Sequence, residues 1–396
     1  MRVVAADEAA RYVRSGDTLL IGGSGGGHAV PEALIAAIDA AQREFHLETY
    51  IFADDATGRA VADALCRAAR RGVAVRVLAD GFGAANLPQT LAPRLTAAGV
   101  RVLVYRPEIA RFRLRRERLR RLHRKLAVAD GRCAFVGGIN IIDDTDSANP
   151  SQPRFDYAVC IMGPLLAPIH QTVRRLWKLV ALIQLRRQFR LPTPLPVSAE
   201  ACGSMRAAFV IRDNLRHRHD IEEAYLEAIG RAQGEILIAN AYFLPGGRFR
   251  QALLDAAARG VQVTVLLQGR VEYALQHYAT QSLYDTLLRA GIRIFEYHRS
   301  YLHAKVAVID CCWATVGSSN IDPFSLLLAR EANVFVDDRE FAMKLRGSLE
   351  AAMQEGAREL RCEDWLRKAW LERLASRLAY WLVRLLIGIA GQGGRH

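Results

Sequence analysis

The pattern of apolar and polar positions predicts helices that alternate with short apolar strands, and this arrangement occurs twice along the chain. Residues 64–72 have helical spacing and lead into an apolar strand at 73–78. Residues 252–260 lead in the same way into an apolar strand at 261–266, 188 positions later. The pattern therefore predicts two copies of one helix-and-strand unit within a single chain.

A second pair of similar segments extends the repeat. Residues 95–105 resemble residues 287–297, and Gly99 and Gly291 are expected to end their helices in the left-handed conformation. Strands that each follow a helix predict a largely buried sheet covered by helices. We therefore expect an α/β fold in which two lobes of α/β/α sandwich type are related by a pseudo-twofold axis.

Three prolines in residues 191–200 exclude a helix there and indicate a stiff linker between the lobes. This boundary divides the chain into a first lobe (1–190), the linker (191–200), a second lobe (201–360) and a tail (361–396). One chain with both lobes is expected to act as a monomer.

The composition of the chain limits the classes of binding partner that are expected. The 54 lysines and arginines exceed the 41 acidic residues by 13, so a polyanion, either nucleic acid or an anionic membrane, is expected to bind. The seven cysteines are scattered without zinc-site spacing, which favours a reducing compartment. No uncharged apolar run approaches the ~18 residues of a membrane-spanning helix.

Each half also carries one copy of a polar motif, HxKx4D, followed after six residues by G[GS]xN. Side chains two positions apart on a strand point the same way, so the histidine and lysine of each copy share a face. The first copy contains His123, Lys125, Asp130 and Asn140, and the second contains His303, Lys305, Asp310 and Asn320.

An imidazole, an ammonium and an amide side by side suit a phosphodiester, because a histidine can attack phosphorus while the others bind its oxygens. Two histidines allow one to act as nucleophile and the other as general acid. Each imidazole also needs a carboxylate to hold its tautomer. The candidates are Asp156, 33 residues after His123, and Glu331, 28 residues after His303.

On these motifs the chain resembles the phospholipase D superfamily. Within it, the sequence is most similar to bacterial cardiolipin synthases of the short, peripheral-membrane type, with further matches at 137–144, 163–177 and 319–325. The resemblance implies two phospholipase D-like lobes, a phosphohistidine intermediate, and neither metal nor other cofactor. It also implies a role for each motif residue: the intermediate on His123 or His303, phosphate contacts from Lys125, Lys305, Asn140 and Asn320, orientation of the histidines by Asp156 and Glu331, and support from Asp130 and Asp310.

Two further segments bear on the polyanion. Residues 111–121 include seven arginines just before the first motif and are expected to gather anionic groups at the cleft. In the tail, Arg373, Arg377 and Arg384 share one helical face, opposite a row of leucines and Trp381. This pattern predicts an amphipathic helix in the head-group layer of a membrane, the alternative being a helix packed on the body.

The sequence thus predicts transphosphatidylation, in which two phosphatidylglycerol molecules give cardiolipin and glycerol. His123 is the expected nucleophile and His303 the general acid. The expected partners are anionic phospholipids, phosphatidylglycerol and cardiolipin, at the cytoplasmic face of a bacterial membrane. Nucleic acid is disfavoured because Phe112 alone offers base stacking in the basic run. The alternatives are a phosphodiesterase or nuclease, and a phosphatidyltransferase with another acceptor.

Overall fold

Two β-sheets form the body of the protein. The computed structural model describes residues 2–3, 19–22, 29–107, 120–143, 153–197, 203–213, 216–322, 329–366 and 370–391. Most of the arginine-rich run, 111–119, lies outside the described residues, as do 198–200 of the predicted linker.

Within the described residues, the first sheet has eight strands in the order β1-β2-β9-β8-β7-β3-β4-β5. Strands β3, β4 and β5 are parallel, and β7, β8 and β9 continue the sheet as antiparallel neighbours. The strands of the first half are β1 (Arg2–Val3), β2 (Leu19–Gly22), β3 (Glu44–Thr49), β4 (Ala74–Asp80), β5 (Arg101–Tyr105), β6 (Arg121–Leu122), β7 (Lys125–Ala129), β8 (Cys133–Gly137) and β9 (Tyr157–Ile161).

The second sheet repeats this order as β10-β16-β15-β14-β11-β12-β13-β17, with β6 added beside β16. Here β11, β12 and β13 are the parallel strands, and β14, β15 and β16 continue the sheet as antiparallel neighbours. The prediction of two similar α/β lobes is therefore confirmed. Its other strands are β10 (Arg206–Arg212), β11 (Glu235–Asn240), β12 (Gln262–Gln268), β13 (Arg293–Tyr297), β14 (Lys305–Ile309), β15 (Trp313–Gly317), β16 (Ala329–Asp337) and β17 (Ala357–Leu360).

Helices cover both sheets. The predicted glycine caps are confirmed, because Gly99 and Gly291 have φ angles of 93° and 80°. The helices are α1 (Ala29–Ala40), α2 (Ala56–Arg70), α3 (Leu91–Ala97), α4 (Leu166–Ile183), α5 (Asp220–Arg231), α6 (Gly247–Ala258), α7 (Ala274–Gln281), α8 (Tyr284–Arg289), α9 (Arg339–Gly356), α10 (Cys362–Leu366) and α11 (Trp370–Gly391).

One apolar core joins the two lobes. Leu126 and Val136 of the first sheet share it with Val306 and Val316 of the second. Helices α4 and α9 contribute side chains to the same core. Burial of each large aliphatic side chain contributes about 1.5–3 kcal/mol, so this core holds the two sheets in a fixed relation.

Backbone exchange between the lobes occurs at two places. Strand β6 of the first half pairs in parallel with β16 of the second, with Leu122 opposite Arg330. In the reverse direction, Phe155 of the first half forms a parallel bridge with Leu302 of the second. Both exchange points lie next to motif residues, so the fold brings the two motifs together.

The C-terminal helix α11 packs on the body. Ser376 and Val383 are buried, and the helix lies against α7. The predicted apolar row still faces outward, since Leu378, Trp381 and Leu385 are all more than half exposed. The packing against α7 agrees with the alternative of a helix packed on the body, and the place of this helix in a head-group layer stays a prediction. Among the described residues, each helix is too short or too polar to cross a bilayer.

Candidate active site

The two motif histidines stand at the points where the lobes exchange backbone hydrogen bonds. The N–H of His123 donates to the carbonyl of Arg330 at 3.0 Å, and the N–H of His303 donates to the carbonyl of Phe155 at 2.8 Å. Each acceptor immediately precedes the candidate carboxylate of the other half. The backbone thus seats each histidine beside a carboxylate from the opposite lobe.

The side chains complete the same exchange. His123 Nδ1 lies 2.9 Å from Glu331 Oε1, and His303 Nδ1 lies 2.5 Å from Asp156 Oδ2. The structure therefore pairs both candidate carboxylates with imidazoles, and each pair joins the two lobes. Spacing within each half did not indicate this crossing.

These contacts define the tautomer of each ring. A carboxylate accepts only, so each Nδ1–H donates to its carboxylate and each Nε2 remains for substrate. In the second pair, the ammonium of Lys305 lies 2.8 Å from His303 Nδ1 and 3.4 Å from Asp156 Oδ2. Since the carboxylate oxygen is closer to Nδ1, we assign the Nδ1 proton to the bond with Asp156.

The residue that supports each carboxylate differs between the lobes. Ser318 Oγ donates to Glu331 Oε2 at 2.6 Å. The equivalent position in the first lobe is Gly138, where a Cβ would lie 2.4 Å from both carboxylate oxygens of Asp156. Asp156 therefore requires a glycine at position 138, because any side chain there would collide with its carboxylate. Glu331 is instead held by the hydroxyl of Ser318.

Both motif lysines are buried and hold the histidine backbone. Lys125 Nζ donates to the carbonyl of His123 at 2.6 Å, and Lys305 Nζ donates to the carbonyl of His303. Burial and the charge of Lys305 lower the pKa of Lys125 to about 7, and burial lowers the pKa of Lys305 as well. Two buried lysines that influence one another electrostatically are suited to bind an anion.

The pair in the second lobe is strongly perturbed. Burial, with the charge of Lys305, lowers the pKa of His303 to about 3. Burial alone would raise the pKa of Asp156, but the charges of Lys305 and His303 hold it below its usual value. His303 is therefore a neutral imidazole beside an ionised carboxylate at neutral pH.

The two asparagines occupy different surroundings. Asn140 Oδ1 accepts from the N–H of Ile51 at 3.2 Å, which leaves its amide NH₂ as the donor. Asn320 is 3% exposed, and its Oδ1 has no hydrogen-bond partner within the described residues. A contact from either residue to phosphate stays a prediction.

Asp130 and Asp310, the last residues of the two motifs, are not brought to the imidazoles. Each lies past the far end of its strand, about 20 Å along the chain from its histidine. Asp130 Oδ1 accepts from the N–H groups of Arg43 and Glu44, both at 2.8 Å. Asp310 does the same for the turn before β11. Both aspartates therefore tie a turn to the sheet and act through the fold.

Tyr50 is a residue of the site that the sequence analysis did not predict. Its ring meets His123 edge to face with centroids 4.8 Å apart, and Lys125 Nζ lies 5.5 Å from the ring centre. Burial raises the pKa of its hydroxyl to about 12, so the group stays neutral. The one available signal was its position immediately after β3.

A buried group of metal-ligand type lies elsewhere in the first lobe. Ligand atoms of Glu44, His46 and His170 come within 4.8 Å of one another. Arg76 and Arg174 also contact Glu44 Oε2, at 3.1 and 3.4 Å. Two guanidinium charges on that carboxylate disfavour a cation, so the donor set fits a buried ion-pair network.

Comparison with known proteins identifies the family of the chain. Residues 34–163 and 225–353 each match the family described as cardiolipin synthase, PLD-like domain. Cardiolipin synthase B of Escherichia coli (strain K12) is 38% identical over 359 residues, an alignment that covers 91% of this chain and 86% of that protein. Probable cardiolipin synthase YwiE of Bacillus subtilis (strain 168) is 32% identical over 324 residues, covering 81% and 63%.

Solved structures support the fold. Phosphatidylserine synthase of Haemophilus influenzae Rd KW20 superposes with a TM-score of 0.69 at 12% identity, covering 96% of this chain and 99% of that one. Polyphosphate kinase of Porphyromonas gingivalis gives a TM-score of 0.56 at 17% identity, covering 94% and 53%. With both halves matched and the relatives aligned over most of their length, the chain belongs to the cardiolipin synthase, PLD-like domain family.

Proposed function

We propose that the protein is a phosphatidyltransferase that converts two phosphatidylglycerol molecules into cardiolipin and glycerol. The observation that carries the proposal is the pair of crossed contacts, His123 with Glu331 and His303 with Asp156. They supply two Nε2 atoms, each oriented by a carboxylate, beside two buried lysines. The 38% identity to cardiolipin synthase B over 91% of the chain supports the choice of reaction.

The first half-reaction forms a phosphohistidine. One Nε2 attacks the phosphorus of the donor lipid, a P–N bond forms, and the P–O bond to the head-group glycerol breaks. The other histidine gives its proton to the leaving oxygen, and glycerol departs. Lys125 and Lys305 stabilise the negative charge on the non-bridging oxygens.

The second half-reaction reverses the proton transfer. The histidine that lost its proton takes one from a primary hydroxyl of a second phosphatidylglycerol. That oxygen attacks phosphorus, the P–N bond breaks, and cardiolipin leaves with both imidazoles restored. The net change is two phosphatidylglycerols to one cardiolipin and one glycerol.

The surroundings of the two rings favour His303 as the nucleophile, the reverse of the assignment expected from the sequence. A nucleophile must be unprotonated, and burial keeps His303 neutral. A general acid must exchange protons with its surroundings, and the His123 side chain is the more exposed, at 17% against 11%. His123 is accordingly the proposed acid.

Peripheral attachment to an anionic membrane is part of the proposal. On α11, exposed Leu378 and Trp381 lie beside exposed Arg377. After α4, Leu185 is 80% exposed and is followed by exposed Arg186. Apolar side chains flanked by arginine suit the boundary between acyl chains and anionic head groups.

The proposed location is the cytoplasmic face. The cysteines within the described residues are free thiols, which is typical of a reducing compartment: Cys66, Cys133, Cys160, Cys311, Cys312 and Cys362.

The test is a product assay with phosphatidylglycerol vesicles and, separately, plasmid DNA. We expect cardiolipin and glycerol in equal amounts, intact DNA, and loss of turnover in His123→Ala and His303→Ala. Phosphatidic acid as the sole lipid product would identify a hydrolase instead. Nicked plasmid with unchanged lipid would overturn the proposal in favour of a nuclease.

A further inference from the structure

A polar cluster beside His303 has no part in the chemistry described so far. We propose that it is the acceptor subsite, which binds the phosphate and hydroxyl groups of the second phospholipid's head group. This inference rests on the proposed transphosphatidylation. We call the residues the acceptor cluster: Arg154, Tyr242, Arg270, Glu272, Tyr273 and Tyr301.

Backbone geometry places the acceptor cluster on the cleft side of the sheets. Phe155 and Leu302 form the bridge between the lobes, and both side chains are buried in the shared core. Side chains alternate along extended backbone, so the flanking residues point the other way. Arg154 therefore faces the same side as the carboxylate two residues later, and Tyr301 faces the same side as the histidine two residues later.

The positive part of the cluster is built around one ring. The guanidinium carbons of Arg154 and Arg270 lie 5.5 and 5.8 Å from the centre of the Tyr301 ring. Arg270 is held by the carbonyls of residues 298 and 299, at 2.7 and 3.0 Å. Arg154 forms an ion pair with Glu272 at 2.9 Å. A fixed guanidinium with several donors is the group that best recognises a phosphate.

The hydroxyl-binding part lies on the other side of Glu272. Tyr242 Oη donates to Glu272 Oε2 at 2.7 Å, and the Tyr273 ring lies 5.9 Å from the Tyr242 ring with 57% of Tyr273 exposed. Gln268 is 8% exposed, and its Nε2 has no hydrogen-bond partner within the described residues. These groups line a cavity of about 20 Å³, room for one hydroxyl-sized group.

The charge of the cluster reaches the reaction centre. Burial lowers the pKa of Lys305, and the positive charge of Arg154 adds to that lowering. Arg154 therefore acts within Coulombic range of the lysine that faces the reacting phosphate. A second phosphate bound beside Arg154 would therefore lie on the same flank of the cleft as His303 and Lys305.

The first lobe lacks this constellation at the equivalent positions. Ala329 stands two residues before Glu331, where Arg154 stands two residues before Asp156. Phe82, in contact with Arg121 at 5.2 Å, follows β4 as Arg270 follows β12. Donor and acceptor lipids are chemically identical but have different roles in the reaction. The two lobes must therefore differ beside the shared active site, so that each lipid is bound in its own role. The acceptor cluster supplies that asymmetry.

The test measures how the intermediate is divided between lipid and water. Arg154→Gln and Glu272→Gln proteins are assayed on phosphatidylglycerol vesicles for glycerol release and for the ratio of cardiolipin to phosphatidic acid. The matched control is Arg293→Gln, which breaks the exposed Arg293–Glu359 ion pair on the same lobe. We expect the ratio of cardiolipin to phosphatidic acid to fall about tenfold or more in both variants, whereas the control keeps the wild-type ratio and rate of glycerol release.

Each other outcome is decisive. An unchanged product ratio in folded variants overturns the acceptor subsite, as does an equal loss of glycerol release and cardiolipin, which would mean that the cluster serves the donor step. If Arg154→Gln does not fold, Tyr273→Phe and Glu272→Gln decide by the same ratio. A wild-type protein that makes no cardiolipin refutes the proposed function itself, which is a different result.

Discussion

Glu331 in the second lobe binds the imidazole of His123 in the first, with 2.9 Å between Oε1 and Nδ1. Asp156 in the first lobe returns the contact to His303. Each half of the chain therefore orients the histidine of the other half. A lobe separated from its partner would keep its motif and lose the carboxylate that sets its imidazole tautomer.

The crossed pairs predict the effect of neutralising each carboxylate. Glu331→Gln replaces the carboxylate that accepts from His123 Nδ1–H by a neutral amide, whose NH₂ group can donate to Nδ1 and hold the wrong tautomer. We therefore expect kcat to fall by about 10²- to 10⁴-fold. Cardiolipin formation on phosphatidylglycerol vesicles measures the loss, and Asp337→Asn, at an exposed end of the same strand, is the control. Activity within twofold of wild type in Glu331→Gln would contradict the orienting role.

A second prediction separates nucleophile from acid. A phosphatidyl ester of p-nitrophenol has a leaving group that needs no protonation, so its first half-reaction requires the nucleophile alone. We expect His123→Ala to release a stoichiometric burst of p-nitrophenol and to carry the phosphatidyl group on His303, because burial holds that imidazole neutral. His303→Ala should give no burst. Mass spectrometry of the trapped protein checks the site, and a burst confined to His303→Ala would restore the assignment made from the sequence.

The sequence predicted what is local and repeated. Equal spacing in two copies of HxKx4D indicated two similar lobes, and alternation along a strand indicated that Lys125 lies on the same face as His123. The crossing of the carboxylates depends on how β6 pairs with β16, a contact between residues about 200 positions apart. Spacing within either half carries no information about that contact.

The position of Asp130 and the orientation of Arg154 could not be predicted from the sequence for related reasons. Asp130 belongs to the motif by spacing, yet a seven-residue separation on an extended strand places it at the opposite end from His123. Arg154 precedes Asp156 by two residues and reads as an ordinary surface charge until the Phe155–Leu302 bridge shows which way it faces. Both outcomes follow from strand geometry once the strands have been placed.

The buried lysine predicts a pH dependence. Burial and Lys305 lower the pKa of Lys125 from 10.5 to about 7, so the free enzyme has the ammonium below pH 7 and loses it above. Since the ammonium binds an anionic substrate, kcat/KM should fall about tenfold per pH unit above pH 7. Lys125→Arg, whose guanidinium stays charged, should lack this decline whatever its absolute rate. A decline at the same pH in the variant would assign it to another group.

The hairpin turns predict a stabilising substitution far from the active site. Gly131 has a φ of 63°, and its counterpart in the second lobe, Cys311, has a φ of 53°. A residue with a Cβ costs about 1–2 kcal/mol in this left-handed region, whereas glycine adopts it freely. The Cys311 thiol recovers part of that cost through its contact with Glu235 Oε1 at 2.9 Å. Cys311→Gly should therefore raise the free energy of unfolding by about 0.5–1 kcal/mol and leave kcat unchanged.

The reciprocal substitution is the matched control. Gly131→Cys puts a Cβ into the same left-handed conformation, 3.3 Å from Val197 Cγ2, and should lower the free energy of unfolding. Urea unfolding of both variants, followed by circular dichroism, measures the two shifts. Because unfolding exposes the same surface in each protein, the slopes should match and only the midpoints should move. Midpoints that move together in one direction would show that packing around the turn, and not its φ angle, determines stability there.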